Sequence, residues 1–110
     1  MSNFDFTAFN GNLVDDPSRG NTRNTTVANM CVAKSRGWTD KESGEKKKAT
    51  DFIDVEIWDH QAERCLAEFH KGDRVVVVGS LRTDSWDADD GTKRSKLYVR
   101  ASSVTLSLEF

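Results

Sequence analysis

The sequence predicts an all-β domain: a small closed barrel of five strands carrying a single helix. Three observations lead there. Residues 52–58 alternate strictly, with Ile53, Val55 and Ile57 pointing one way and Phe52, Asp54, Glu56 and Trp58 the other. Ala62, Cys65, Leu66 and Phe69 recur at helical spacing between the third and fourth strand-like runs. A chain of 110 residues can bury one core but not two, so residues 1–110 are expected to form one domain.

The elements follow in order. Phe4, Phe6 and Ala8 alternate with Asp5 and Thr7, and the strand pattern continues past Gly11 to Leu13-Val14. A glycine inside a strand marks a bulge or a sharp bend. Residues 15–24, with the only proline (Pro17), read as a loop. Residues 27–35 form the second strand, with Ala28, Met30 and Val32 on one face. Residues 38–49 read as a long hairpin loop with Gly44 near its tip and Lys46-Lys47-Lys48 on its return arm. The third strand is 52–58. Asp59 is the expected N-cap of the helix and Gly72 its left-handed stop. Residues 74–83 form a strand around Val75-Val76-Val77-Val78, Asp89-Asp90-Gly91 signals a turn, and 96–106 form the last strand.

Composition excludes several classes. Apolar residues make up 36% and charged residues 31%, the balance of a soluble globular protein, and no apolar run is long enough to cross a bilayer. Met1-Ser2-Asn3-Phe4-Asp5 lacks the regions of a signal peptide, so a cytoplasmic location is expected. Cys31 and Cys65 have no CxxC partner and read as free thiols, while His60 and His70 sit at opposite ends of the helix. No metal or other cofactor is implied. No nucleophile with a base in register and no phosphate-cradling glycine loop is present, so an enzyme is not expected. Asp54 and Glu56 would be a nuclease's carboxylates only with a third ligand and a base that are missing.

Trp38 and Trp86 are the informative residues, because each lies in a polar stretch that no core would claim: Ser35-Arg36-Gly37-Trp38-Thr39-Asp40 and Arg82-Thr83-Asp84-Ser85-Trp86-Asp87. A nucleobase is a fitting partner because every base has a π-face. The end of the barrel or a subunit contact is the alternative. Phe52 and Trp58 flank Asp54 and Glu56 on the outer face of the third strand and complete a set of four candidate stacking residues. The formal net charge of −2 neither requires nor forbids a polyanion, since phosphates respond to local field. Lys34, Arg36, Lys46, Lys47, Lys48, Arg82, Lys93, Arg94, Lys96 and Arg100 are the candidate phosphate contacts. The lysine run could equally serve loop solubility, and Asp87, Asp89 and Asp90 could pair with the cations of the last hairpin.

Five segments resemble the bacterial single-stranded-DNA-binding protein family. They are Gly11-Asn12-Leu13-Val14-Asp15-Asp16-Pro17, Val27-Ala28-Asn29, Trp38 with Asp40-Lys41 and Gly44-Glu45, Lys71-Gly72-Asp73-Arg74-Val75, and Gly79-Ser80-Leu81-Arg82-Thr83. The resemblance implies an OB-fold, assembly into a homotetramer, single-stranded DNA as partner, and base stacking at Trp38, Phe52, Trp58 and Trp86. Two departures stand out. Asp54 and Glu56 lie where they would repel phosphate, unless Arg82 or Arg100 neutralises them. Ser107-Leu108-Glu109-Phe110 follows the last strand directly, so the family's acidic tail, and recruitment of partners through it, are not expected. The competing reading is an OB-fold subunit that docks on another replication or recombination protein. An RNA-binding domain is a weaker variant.

Overall fold

The computed structural model describes residues 4–20 and 22–107. The leader and tail readings rest on 1–3 and 108–110, which lie outside the described residues. The elements are β1 (Thr7–Leu13), β2 (Ser18–Arg19), β3 (Val27–Thr39), β4 (Lys46–Trp58), α1 (Asp59–Glu68), β5 (Arg74–Asp87) and β6 (Lys93–Leu106).

The long strands pair in the order β1-β5-β6-β4-β3, and β3 returns to β1 through Asn12↔Ala33 and Leu13↔Val32, which closes the barrel. β4 and β6 run parallel, with Val55 opposite Val99 and Glu56 opposite Arg100; the other pairings are antiparallel. β2 adds a short edge to β3 that the loop reading of 15–24 did not include.

Alternation decides what is buried. Ala28, Met30 and Val32 of β3 and Val55 and Ile57 of β4 point inward, as their spacing predicts. In the valine run Val75 and Val77 are fully buried, whereas Val76 and Val78 are half-buried on the outer side. The helix seals the core with Ala62, Cys65 and Phe69, and Leu66 packs against its margin.

Two glycines set how closely strands pass at the seams. A Cβ on Gly11 would lie 2.4 Å from the Ala33 carbonyl oxygen, and one on Gly79 only 2.3 Å from that of Arg100. Gly11 keeps regular pairing with Val75, so no bulge lies there. It falls at Val78/Gly79, where the register with β6 shifts.

The helix ends differ from expectation. Asp59 is the first helical residue rather than the N-cap; Trp58 precedes it in extended conformation without a side-chain cap. Asp59 takes a left-handed φ of 64°, its N–H donates to the Thr26 carbonyl at 2.8 Å, and its carboxylate accepts from the Thr25 hydroxyl. That carboxylate is therefore engaged by the preceding loop, in a conformation aspartate tolerates. At the other end Phe69 caps the helix, and Gly72 (φ 92°) serves the following turn.

The hairpin expected over 38–49 is a continuous two-stranded ribbon. β3 and β4 stay paired out to Thr39↔Lys46, and Gly44 (φ 71°) makes the tip. A second ribbon, β5 with β6, stays paired out to Asp87↔Lys93, closed by Ala88 to Thr92 around Gly91 (φ 85°). These two ribbons carry most of the candidate site.

Candidate nucleic-acid interface

The outer face of β4 continues onto β6 and β5. Directly paired residues of adjacent strands share a face, so Arg82, Asp84 and Trp86 of β5 stand with Tyr98, Lys96 and Arg94 of β6. The parallel pairing of Glu56 with Arg100 joins this row to Phe52, Asp54, Glu56 and Trp58. A groove of about 180 Å³ runs between the strands, lined by Asn29, Asp54, Glu56, Asp84, Lys96 and Tyr98.

Each aromatic is held differently. Trp58 is half-buried; the Arg100 guanidinium lies 4.9 Å from its ring centroid, and its indole N–H donates to Glu56 Oε1 at 3.0 Å. One face of that ring is thus already covered by a cation. Phe52 is 66% exposed and Trp86 48% exposed, and among the described residues neither ring packs against another. Trp38, 46% exposed, stands across from Lys47 with the Arg36 guanidinium 5.7 Å from its centroid. A cleft of about 500 Å³ opens beside it between Arg36 and Lys46-Lys47-Lys48. By register Trp38 and Phe52 lie on opposite faces of the β3–β4 ribbon, since Trp38 pairs with Lys47 and Phe52 with Ala33. A strand touching both must pass around the ribbon edge.

Half of the ten candidate cations are ion-paired. Arg36 Nε meets Asp51 at 3.0 Å, Lys47 meets Asp40 at 3.4 Å, Lys96 meets Asp54 at 3.4 Å, Arg94 meets Asp90 at 3.7 Å, and Arg100 meets Glu56 at 3.9 Å. Asp54 and Glu56 are thus neutralised by Lys96 and Arg100; Arg82 pairs with neither. Asp90 does pair within its own hairpin. Its carboxyl is held below the usual range by the Thr92 hydroxyl and N–H first, with Arg94 adding to them. The Glu42 N–H and then the Lys47 ammonium hold Asp40 down in the same way. Lys34, Lys46, Lys48, Arg82 and Lys93 pair with no carboxylate among the described residues.

Sequence reasoning missed Tyr98. It sits half-buried in the middle of the outer face, and its hydroxyl donates to Asp84 Oδ1 at 3.2 Å. Burial, then the Glu56 and Asp84 charges, push its phenol above the usual value. Parity with Lys96 and Arg100 was the signal that could have found it. Among the described residues no group of three or more His, Cys, Asp or Glu side chains is placed to hold a metal ion, and no helix is long and apolar enough to cross a membrane.

A five-stranded barrel closed through β1–β3, with a helix between its third and fourth long strands and aromatics on its outer face, defines an OB-fold protein. The chain belongs to the Single-strand binding protein family, whose model matches residues 7–107. It is 33% identical over 102 residues to a single-stranded DNA-binding protein of Mycolicibacterium smegmatis, covering 91% of this chain and 62% of that protein. It is 31% identical over 102 residues to one of Paenarthrobacter aurescens, covering 91% of this chain and 60% of that protein. The chain therefore spans about three fifths of the length of these relatives. Its fold is similar to that of Plasmodium falciparum SSB in complex with ssDNA, with a TM-score of 0.87, 20% identity and 97% of each chain covered. It is also similar to a deletion mutant of the Thermus aquaticus single-stranded DNA binding protein, with a TM-score of 0.83 and 24% identity, covering 96% of this chain and 51% of that one.

Proposed function

We propose that this chain binds single-stranded DNA without sequence preference, as a protective coat in replication, recombination or repair. Bases stack on Trp38, Phe52, Trp58 and Trp86; Lys34, Arg36, Lys46, Lys47, Lys48, Arg82, Lys93, Arg94, Lys96 and Arg100 supply the phosphate contacts. One observation carries the reading: Trp38 and Trp86 are about half exposed on polar ribbons outside the core, each directly across from a cation, Lys47 and Arg94. Membership of the family, whose relatives are named for this activity, supports it. The protein acts in the cytoplasm as a homo-oligomer, most simply a tetramer. The half-buried Val76 and Val78 on the outer side of β5 suit a subunit contact, whereas Phe9, paired with Val77, packs against the core.

A docking role is the second reading. Leu81 and Leu97 are 49% and 62% exposed and border a groove of about 420 Å³ with Phe9, Phe52 and Ile53. Fluorescence anisotropy with labelled oligo-dT and with a hairpin duplex separates the two. The DNA-binding reading expects oligo-dT to bind and unlabelled oligo-dT, not duplex, to compete it off. A folded protein that leaves oligo-dT free overturns that reading in favour of docking.

A further inference from the structure

Phe4 and Phe6 lie outside the set of four rings assigned to stacking. Phe4 is 91% exposed and Phe6 61%, and their ring centroids are 6.4 Å apart with the planes tilted by 36°. Among the described residues neither ring packs against any other ring. Both precede β1, whose pairing with β5 begins at Thr7↔Gly79. The segment stays tied to the sheet beyond that point, because the Leu81 N–H of β5 donates to Asp5 Oδ1 at 3.2 Å. The β1–β5 register, carried one residue further, sets Phe6 opposite Ser80; Ser80 pairs with Arg100, and Arg100 with Glu56. Phe6 therefore stands in a cross-strand row on the same outer face as Trp58. A groove of about 390 Å³ lies along this row, lined by Phe6 together with Ser80, Arg82 and Arg100.

We propose that Phe6, with Phe4 beside it, is a further base-stacking site, and that the DNA strand reaches it from Trp58 across Arg100. This site rests on the single-stranded-DNA reading above and lengthens the path of the strand. An exposed phenyl ring offers a π-face on which any base can stack. Arg82, which meets no carboxylate among the described residues, supplies a cation for the phosphate beside that base. Arg100 lines the groove and also lies 4.9 Å from the Trp58 ring centroid, so it joins the two stacking positions. Three strand spacings of about 4.8 Å separate Phe6 from β4, about 14 Å in all. One base cannot touch both rings over that distance, so Phe6 takes a base of its own. The other use for two exposed phenylalanines is a contact between subunits, and Val78 lines the end of the groove nearer the contact proposed above. Arg82 has no carboxylate to carry into such a contact, and an unpaired cation is costly to bury.

Leucine at both positions separates the two uses, because it keeps the apolar bulk that a subunit contact needs and removes the π-face that a base needs. Phe4→Leu/Phe6→Leu is expected to weaken oligo-dT binding about fivefold, the low end of what one stacked base contributes. The salt slope should stay that of the wild type, since no cation is lost, and sedimentation should show the wild-type assembly. Phe4→Tyr/Phe6→Tyr restores the π-faces and is expected to bind as the wild type does. Wild-type affinity in the leucine variant, or a loss that tyrosine does not recover, overturns the inference. A loss that comes with a smaller assembly overturns it too, and makes the two rings a subunit contact. In each of these cases oligo-dT still quenches the tryptophans, so single-strand binding stands. Wild-type protein whose tryptophans oligo-dT leaves unquenched overturns the binding reading as well.

Discussion

Trp58 and Trp86 present their rings under different conditions. Trp58 is braced by Arg100 on one face and by Glu56 at its N–H, so it can offer one face without rearranging. Trp86 and Trp38 stand about half exposed on ribbons, and removing either ring leaves no hole in the core. Trp38→Ala and Trp86→Ala are therefore each expected to weaken oligo-dT binding by about 1–3 kcal/mol, roughly fivefold to 150-fold. The thermal midpoint should stay near that of the wild type. Anisotropy titration with a parallel melting curve checks both halves; a lowered midpoint with unchanged affinity would make these rings structural. Both tryptophans were legible in the sequence because a large ring among charged residues has no core to join. Tyr98 was not, because Leu97-Tyr98-Val99 reads as an ordinary strand centre. Nor were the ion pairs, since Asp54 and Lys96 meet only after the barrel brings β4 beside β6.

At the scale of elements, alternation located every strand that borders the core and failed where strands leave it. β4 was read from Phe52, but it starts at Lys46; β6 was read from Lys96, but it starts at Lys93. The ribbons project outward with both faces in solvent, so no burial period marks them. β2 was missed because two residues carry no period at all. What holds β2 against the helix is a polar clasp. Arg19 donates to both carboxylate oxygens of Glu63 at 3.1 and 3.0 Å, and the Thr26 hydroxyl donates to Glu63 Oε1 at 2.5 Å. The Arg19 guanidinium first, then the Thr26 hydroxyl, lowers the Glu63 carboxyl from its ordinary 4.5 to about 2. A carboxyl lowered in the folded state contributes stability above its unfolded value and loses it as pH falls through its folded one. Wild-type stability from this group is thus complete above about pH 4.5 and lost toward pH 2. Glu63→Gln should show a shallower fall of thermal midpoint across that window. Parallel midpoint curves for the two proteins would remove the clasp from the account.

At the scale of the whole molecule, the barrel joins the local ribbons into the proposed interface. Closure was expected, but the strand pairs that make it, β1–β3 and the parallel β4–β6 seam, were not legible, because pairing partners leave no trace in either strand's own pattern. The helix stripe did fix which side is closed, and Phe69, Cys65 and Ala62 lie where that stripe placed them. All three tryptophans of the chain, Trp38, Trp58 and Trp86, belong to the proposed interface, so intrinsic fluorescence reports on it without a label. The most direct measurement is that fluorescence during titration with oligo-dT at low and high salt. Stacking predicts strong quenching that saturates at tens of nucleotides per oligomer and weakens only modestly with salt. Unchanged fluorescence from a folded, assembled protein would contradict base stacking and leave the barrel as a docking subunit.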